Sequence, residues 1–360
     1  MVFELSVDEQ AGHTTALFFA FNTIVTVRSY SDAELCKSAF REVHALCKKY
    51  ERLFSRTLEE TDISRLNNAK GAEVEIAADT FELLEAARFY CEESQGVFDI
   101  SIGSASRLWD FKAEKVPSAE ALAQAIKHVD WRKLSLRVGD YLGTAEDARA
   151  DEGVCTKDDM PLSNTAASAN DVVSTSNSFK PEEQPAATRY FARLLDSEMA
   201  VDAGGIAKGY IADKLSECLA NNGFTNFMIN LGGNVIVKGP KPDGTPWKVG
   251  VQDPQNKQGV LEAIDVIDGS VVTSGIYERG FTKEGVHYHH ILDPLTGFPV
   301  DTDIAGVTVV AERSLDAEGY STTLLALGLE KACAFVRQHP SIQAAYIVSK
   351  NGKLTIEPTL

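Results

Sequence analysis

The stretch Asp202-Ala203-Gly204-Gly205-Ile206-Ala207-Lys208-Gly209-Tyr210 opens an apolar-periodic segment. The segment runs from Ile206 to Leu219 and stops at Asn221-Asn222-Gly223. That pattern predicts a helix with glycines at its start. Two glycines let the backbone approach a ligand closely. The free N–H groups and dipole of a helix start favour an anion, and Lys208 can add charge. The spacing is neither a Walker loop nor Gly-x-Gly-x-x-Gly, so it does not support the common nucleotide folds. By itself, a glycine-bearing helix start can equally serve tight packing.

Outward from this point, Phe227 to Val237 reads as a strand interrupted by Asn230-Leu231-Gly232-Gly233-Asn234. The glycine pair leaves room for another backbone or a flat ligand, or marks a β-bulge. Val271 to Ser274, Ala305 to Val310 and Ala344 to Val348 are further strands. Tyr320 to Leu327 and Leu329 to Arg337 are helical. Asn351-Gly352 between two apolar runs predicts a two-residue hairpin turn. Upstream, Thr23 to Val27 is β-branched at nearly every position and reads as a strand. Ser31 and Glu34 form a Ser-x-x-Glu capping box ahead of Leu35, Ala39, Phe40, Val43, Leu46, Cys47 and Tyr50, a helical spacing. Phe81 to Cys91 and Ser118 to Val129 suggest two more helices. Strands and helices mix without regular alternation, which favours α+β over a doubly wound sheet.

Thr144 to Pro185 differs from the rest. It holds nine acidic and three basic residues and one aromatic, Phe179. Such a segment cannot bury enough apolar surface to offset its ordering entropy. It reads as an acidic, low-complexity, disordered insertion, either a tolerated surface loop or a docking segment. The organisation expected is an extension over 1–15 and one domain over 16–360, interrupted at 144–185.

Composition narrows the function classes. With 44% hydrophobic and 24% charged residues, wholesale disorder is excluded. A net charge of −17 repels a phosphate backbone, and no basic patch counters it, so a nucleic-acid partner is not expected. None of the six cysteines forms a Cys-x-x-Cys pair, and Cys36, Cys47, Cys91 and Cys333 fall in helical apolar patterns. They read as small buried hydrophobes rather than a disulfide framework. The acidic start and the short apolar run Ala16 to Phe21 carry no export or membrane signal. The expectation is a cytoplasmic protein without membrane insertion, or an exported one if the sequence has been trimmed.

Two segments concentrate polar groups. Thr273-Ser274-Gly275-Ile276-Tyr277-Glu278-Arg279 precedes His289-His290-Ile291-Leu292-Asp293-Pro294-Leu295-Thr296-Gly297-Phe298-Pro299. The second is a good turn by its own chemistry, and His290 fits a satisfied core histidine as well as a site. The density of polar groups favours a site. Glu318-Gly319-Tyr320-Ser321-Thr322 opens a helix, with Glu318 and Thr322 on one face. A carboxylate and a hydroxyl there suit a hard cation such as Mg²⁺, although an acidic residue at a helix start also complements the dipole.

Taken in order, these segments resemble the ApbE family of FAD:protein FMN transferases. The matching stretches are Phe98-Asp99-Ile100-Ser101-Ile102-Gly103 with Leu108-Trp109, then Asp202 to Asp213, Asn230 to Asn234, Thr273 to Glu278, His290 to Pro299, and Ser321-Thr322 to Gly328. Ser55 and Ser64-Arg65-Leu66-Asn67 fit more loosely. The resemblance implies a two-lobed, T-fold-like α+β architecture with FAD bound between the lobes. It implies a reaction in which a Thr or Ser hydroxyl of an acceptor flavoprotein attacks the FMN-side phosphorus of FAD and AMP leaves. By the same resemblance, Mg²⁺ is held by the Ala207 carbonyl, Glu318 and Thr322. His290 and Asp293 handle or orient the nucleophile's proton. Phe21, Trp109, Asn230, Gly232, Gly233, Ser274, Tyr277, Glu278, His290 and Ile291 bind FAD together with Asp202, Gly204, Gly205 and Lys208.

The sequence departs from the family pattern at several places. Glu318 stands where Asp is usual, and Phe21-Asn22-Thr23 replaces Met-Gly-Thr. The insertion is unusual, and the export signal of many relatives is not seen. Two other functions use the same site: an FAD pyrophosphatase, with water as nucleophile, and a non-catalytic FAD-binding protein.

Overall fold

The computed structural model describes residues 3–139 and 188–358. The expected insertion lies outside these residues. In chain order, β1 (Glu4–Asp8), β2 (His13–Ala20) and β3 (Thr23–Ser29) form a meander, followed by α1 (Ala33–Phe54) and α2 (Asp62–Asn68). Then come β4 (Val74–Ile76), α3 (Ala78–Glu93), α4 (Gly103–Ser106), α5 (Ala119–Ala125) and β5 (Leu134–Val138). The chain resumes with β6 (Tyr190–Leu194) and α6 (Ala207–Asn221), then the pairs β7 (Phe227–Leu231) with β8 (Asn234–Lys238) and β9 (Trp247–Asp253) with β10 (Asn256–Val266). β11 (Gly269–Gly275), β12 (Gly280–Lys283), β13 (Val286–His289) and β14 (Ile304–Ala311) lead to α7 (Ser314–Leu327), α8 (Leu329–Gln338), β15 (Ala344–Ser349) and β16 (Leu354–Glu357).

A nine-stranded antiparallel sheet in the order β1-β2-β3-β7-β8-β11-β14-β15-β16 organises the molecule. Alternation along its strands sorts two apolar faces. Phe18, Val25, Val27, Ile229, Leu231, Val272, Val307 and Ile347 pack against α1, α6 and α7 in the main core. Val235, Val237, Val271, Val310, Tyr346 and Val348 face the other way and are covered by Trp247, Val251 and Ile264 of the β9–β10 ribbon. A smaller sheet, β4-β6-β5, joins the main core through Ile76, Ala192, Leu194 and Leu134. The mixed architecture is therefore α+β, as the sequence leads one to expect.

The structure corrects several local readings. The cap of α1 is Asp32, whose carboxylate accepts from the Glu34 and Leu35 amides, so Ser31 and Glu34 form no capping box. Ser31 instead pairs with the Ser29 hydroxyl. Phe227 to Val237 is two strands rather than one. Gly232 and Gly233 take φ of +60° and +96° and close a tight β7–β8 turn, which explains the glycine pair without a bulge. At Asn351-Gly352 the loop is one residue longer than expected. The Gly352 amide donates to the Ser349 carbonyl at 2.8 Å, and Gly352 sits at φ +84°. Helix α7 begins at Ser314, so Glu318 lies in its second turn and is not a helix-start acid. Cys36, Cys47 and Cys91 are buried as expected, while Cys333 is only half-buried. Residues 4–8, within the expected extension, pair with β2 as an edge strand.

Candidate functional site

One end of the large sheet carries the site. The β2–β3 turn is made by Phe21 and Asn22 at φ +54° and +57°, a conformation Asn tolerates better than most side chains. The turn forms without a glycine, and the Glu51 carboxylate holds it by accepting from the Phe21 amide at 2.7 Å. Beside it, the β7–β8 turn comes so close that a Cβ on Gly232 would fall 2.0 Å from the Thr23 hydroxyl.

The glycine-rich stretch enters from the smaller sheet. Asn67 clamps both backbone groups of Val201, at 2.7 and 2.9 Å, and a Cβ on Gly103 would meet the Ala200 carbonyl at 2.5 Å. Asp202 then caps a short 3-10 turn through Gly204 N at 3.0 Å, and its other oxygen takes Ser106 Oγ at 2.8 Å and Arg56 Nε at 3.1 Å. Helix α6 follows, with Ala207 and Lys208 in its first turn.

Helix α7 crosses α6 at Gly209. A Cβ there would lie 2.7 Å from the Ser314 carbonyl and 2.8 Å from Glu318 Cβ. Only glycine allows this approach, which brings Lys208 Nζ to 3.0 Å from Glu318 Oε1. Glu318 is 5% exposed, and its second oxygen accepts from Asn234 Nδ2 at 2.6 Å. Asn234 in turn accepts from Ser314 Oγ at 2.7 Å. Asp213, two turns along α6, accepts from the amides of Ser314 and Leu315 at 2.8 and 3.0 Å and so caps α7 from outside. On the neighbouring strand, Ser274 Oγ stands 2.8 Å from Ser321 Oγ and 3.3 Å from Thr322 Oγ1.

A cavity of about 700 Å³ opens at this end of the sheet and runs beneath the β9–β10 ribbon. Asn230, Gly232, Gly233, Tyr277 and Glu278 line it, together with Arg28, Tyr30 and Trp247. Glu278 reaches solvent, yet enough of the chain surrounds it to raise its carboxyl above the usual range by desolvation. Lys208 and Arg279 oppose that rise, and Glu318 adds to it.

His290 is half-buried. Burial and the positive field of Arg279 and Lys208 lower its imidazole to about 4, against the opposing effect of the Arg279 carbonyl and Asp202. Its Nδ1 lies 3.2 Å from that carbonyl. This assigns the proton to Nδ1 and leaves Nε2 as an acceptor. Asp293 does a different job nearby. Its oxygens take the Leu295 amide at 2.9 Å and the Thr296 hydroxyl at 3.2 Å, shaping the 293–297 turn. Trp109 is buried, donates to the Gly297 carbonyl at 2.9 Å and stacks on Phe111, so it holds the same turn from below. Ile291 is in the main core.

The structure therefore gathers Asp202, Lys208, Glu278, His290 and Glu318 into one electrostatic neighbourhood and sets Ser274 and Thr322 side by side. Asp293, Trp109 and Ile291 are placed as supports for the adjoining turn. Arg56 and Ser314 were not anticipated, and Asp213 and Ser321 stood inside named motifs without a role of their own. Asn234 stood inside a motif that was singled out, but nothing local pointed to its partner.

Known proteins share the sequence pattern and the fold. The ApbE family model matches residues 21–347. A FAD:protein FMN transferase of Treponema pallidum (strain Nichols) is 32% identical over 339 residues, spanning 90% of this chain and 82% of the relative. One from Klebsiella pneumoniae (strain 342) is 29% identical, spanning 93% and 89%. The crystal structure of the ApbE protein of Thermotoga maritima superposes with a TM-score of 0.75 at 26% identity, covering 96% of this chain and 97% of that one. The flavin transferase ApbE of Vibrio cholerae shares the fold, with a TM-score of 0.73 at 20% identity and coverage of 96% and 97%. The match spans the turn at Phe21 and the α6–α7 crossing, and the chain belongs to the ApbE family.

Proposed function

We propose that this chain is a FAD:protein FMN transferase that moves FMN from FAD to a Thr or Ser hydroxyl of an acceptor flavoprotein. In the reaction, the acceptor oxygen forms a bond to the FMN-side phosphorus. The bond from that phosphorus to the AMP phosphate breaks, AMP leaves with the electron pair, and the hydroxyl proton is lost. The observation that carries this reading is the buried Glu318–Lys208 pair beside the Ser274, Ser321 and Thr322 hydroxyls, at the end of the sheet where the cavity opens. Its volume falls in the range of small-molecule and cofactor sites.

The donor chemistry fits Mg²⁺. Glu318 is a buried carboxylate paired with the Lys208 ammonium and the Asn234 amide, and the Ser321 and Thr322 hydroxyls follow on the same helix, paired with Ser274. Hard oxygens are what this cation takes. Ala207 through its carbonyl, Glu318 and Thr322 would hold it. When bound, Mg²⁺ neutralises charge on the pyrophosphate. Lys208 and the start of α6 add positive potential for the same group. Neutral His290, protonated at Nδ1, offers Nε2 to the acceptor's proton. Tyr277, Glu278 and Asn230 line the cavity that would take FAD.

The test is incubation with FAD, Mg²⁺ and an acceptor protein, read by the mass of the acceptor. An added FMN phosphoester is expected, with AMP released. AMP and free FMN without modified acceptor would make the chain a pyrophosphatase. FAD retained intact would make it a binding protein. Glu318→Ala is expected to abolish Mg²⁺-dependent turnover in a folded protein, and undiminished turnover would remove Glu318 from the site. The described residues contain no helix long and apolar enough to cross a membrane.

A further inference from the structure

We infer that Ser314 and Asn234 are positioning residues that set the direction of the Glu318 carboxylate, and so the cation affinity of the site. The inference rests on the proposed role of Glu318. A glutamate carboxylate hangs on three side-chain torsions, so its direction has to be fixed by its neighbours. The structure supplies the constraint in a linear chain of donors. Asp213 pins the Ser314 backbone, accepting its amide at 2.8 Å. Ser314 Oγ donates to Asn234 Oδ1 at 2.7 Å. A serine hydroxyl has one proton, and an amide oxygen cannot donate. With Oδ1 engaged, Asn234 must turn Nδ2 to Glu318, where it donates to Oε2 at 2.6 Å. Oε1 is left facing Lys208 at 3.0 Å.

Burial makes the chain directional. Ser314 and Asn234 are both 0% exposed, so bulk water does not compete for these bonds. The Glu318 carboxylate can only accept, so it takes Nδ2 and leaves Oδ1 to the Ser314 hydroxyl. An amide flip would set an Asn oxygen against the carboxylate and lose that bond in a buried site. The carboxylate therefore keeps Oε2 tied to Asn234 and Oε1 turned to the Lys208 ammonium. Outer-shell partners of this kind orient ligands, and their removal costs about 10- to 100-fold in metal affinity or activity.

The test uses the full chain with FAD at fixed concentration and no acceptor, and titrates Mn²⁺ by loss of the free-ion EPR signal. Asn234→Leu is expected to raise the Mn²⁺ dissociation constant about 10-fold or more, with Ser314→Ala several-fold. Because Ser314 acts through Asn234, the double variant is expected to match Asn234→Leu within about 2-fold. FAD binding without metal, followed by flavin fluorescence, stays at the wild-type value in each. A wild-type Mn²⁺ affinity in Asn234→Leu, or full additivity in the double variant, overturns the inference. Should Asn234→Leu fail to fold, Ser314→Ala is compared with Ser314→Thr, which keeps the hydroxyl. Equal affinities in those two overturn it as well. Glu318→Ala separates the two levels. Retained Mn²⁺ affinity there defeats the functional assignment of Glu318, whereas its loss alongside unaffected Asn234 and Ser314 variants defeats only the positioning role.

Discussion

Replacing Gly209 by alanine tests the crossing on which the site is built. Helix propensity alone favours the change by about 1 kcal/mol, since Gly209 sits inside α6. The structure predicts the opposite sign. The new methyl would stand 2.7 Å from the Ser314 carbonyl, 2.8 Å from Glu318 Cβ and 2.9 Å from Leu315 Cα. Two of these atoms are backbone, so no rotamer change relieves them and the helices must separate. Overpacking of this kind costs about 1–3 kcal/mol. Taking about 3 for three such contacts, two of them with backbone atoms, less about 1 for propensity, the net loss is about 2 kcal/mol. At about 2.1 cal/mol/K of unfolding entropy per residue, for a chain of 360 residues that lowers the melting temperature by roughly 3 °C. The same displacement pulls Glu318 from Lys208, so divalent-dependent turnover should fall more than stability does. Differential scanning calorimetry and the FAD assay at matched folded fraction measure both. A Gly209→Ala protein as stable as wild type, or more so, with normal turnover would refute the close crossing.

Asn22→Ala is expected to destabilise by about 1 kcal/mol in thermal melts, because Asn22 holds φ +57° and alanine gains no local hydrogen bond to offset that conformation; an unchanged melt would mean the turn relaxes. Asp213→Ala should cost about 2 kcal/mol in urea unfolding by removing the external cap of α7, which has no side-chain cap of its own, and Asp213→Asn should recover part of it. For pH, His290 is lowered to about 4 in the free enzyme, so it remains a neutral base down to that range. The acid limb of kcat/KM should therefore lie below pH 5, with activity lost as pH falls through about 4. A limb near 6.5 that disappears in His290→Ala would show an ordinary imidazole and contradict the field described for it.

The sequence already held the local elements and the order of the motifs. The apolar spacing over 35–50 and 206–219 gave α1 and α6, because helical period depends only on neighbours three and four apart. The resemblance carried Glu318, Thr322, His290 and the glycines to one site by order alone. What stayed hidden was every pairing between distant segments. Asp32 rather than Ser31 caps α1, since two adjacent residues can each serve and the backbone path decides between them. Asp293 reads as an acid in a polar cluster, but the turn consumes both its oxygens.

The sequence by itself determined the α+β class, most helices, fewer than half of the strands, and the chemical inventory of the site, because propensity, period and turn chemistry are properties of short stretches. Only the tertiary structure decided that Gly209 is a contact glycine, that Asp213 caps a helix 101 residues further on, and that Asn234 aims a carboxylate 84 residues away. These depend on which faces the nine-stranded sheet and its helices present to each other. Burial then makes each such contact specific, since an unpaired polar group or a methyl too many has nowhere to go.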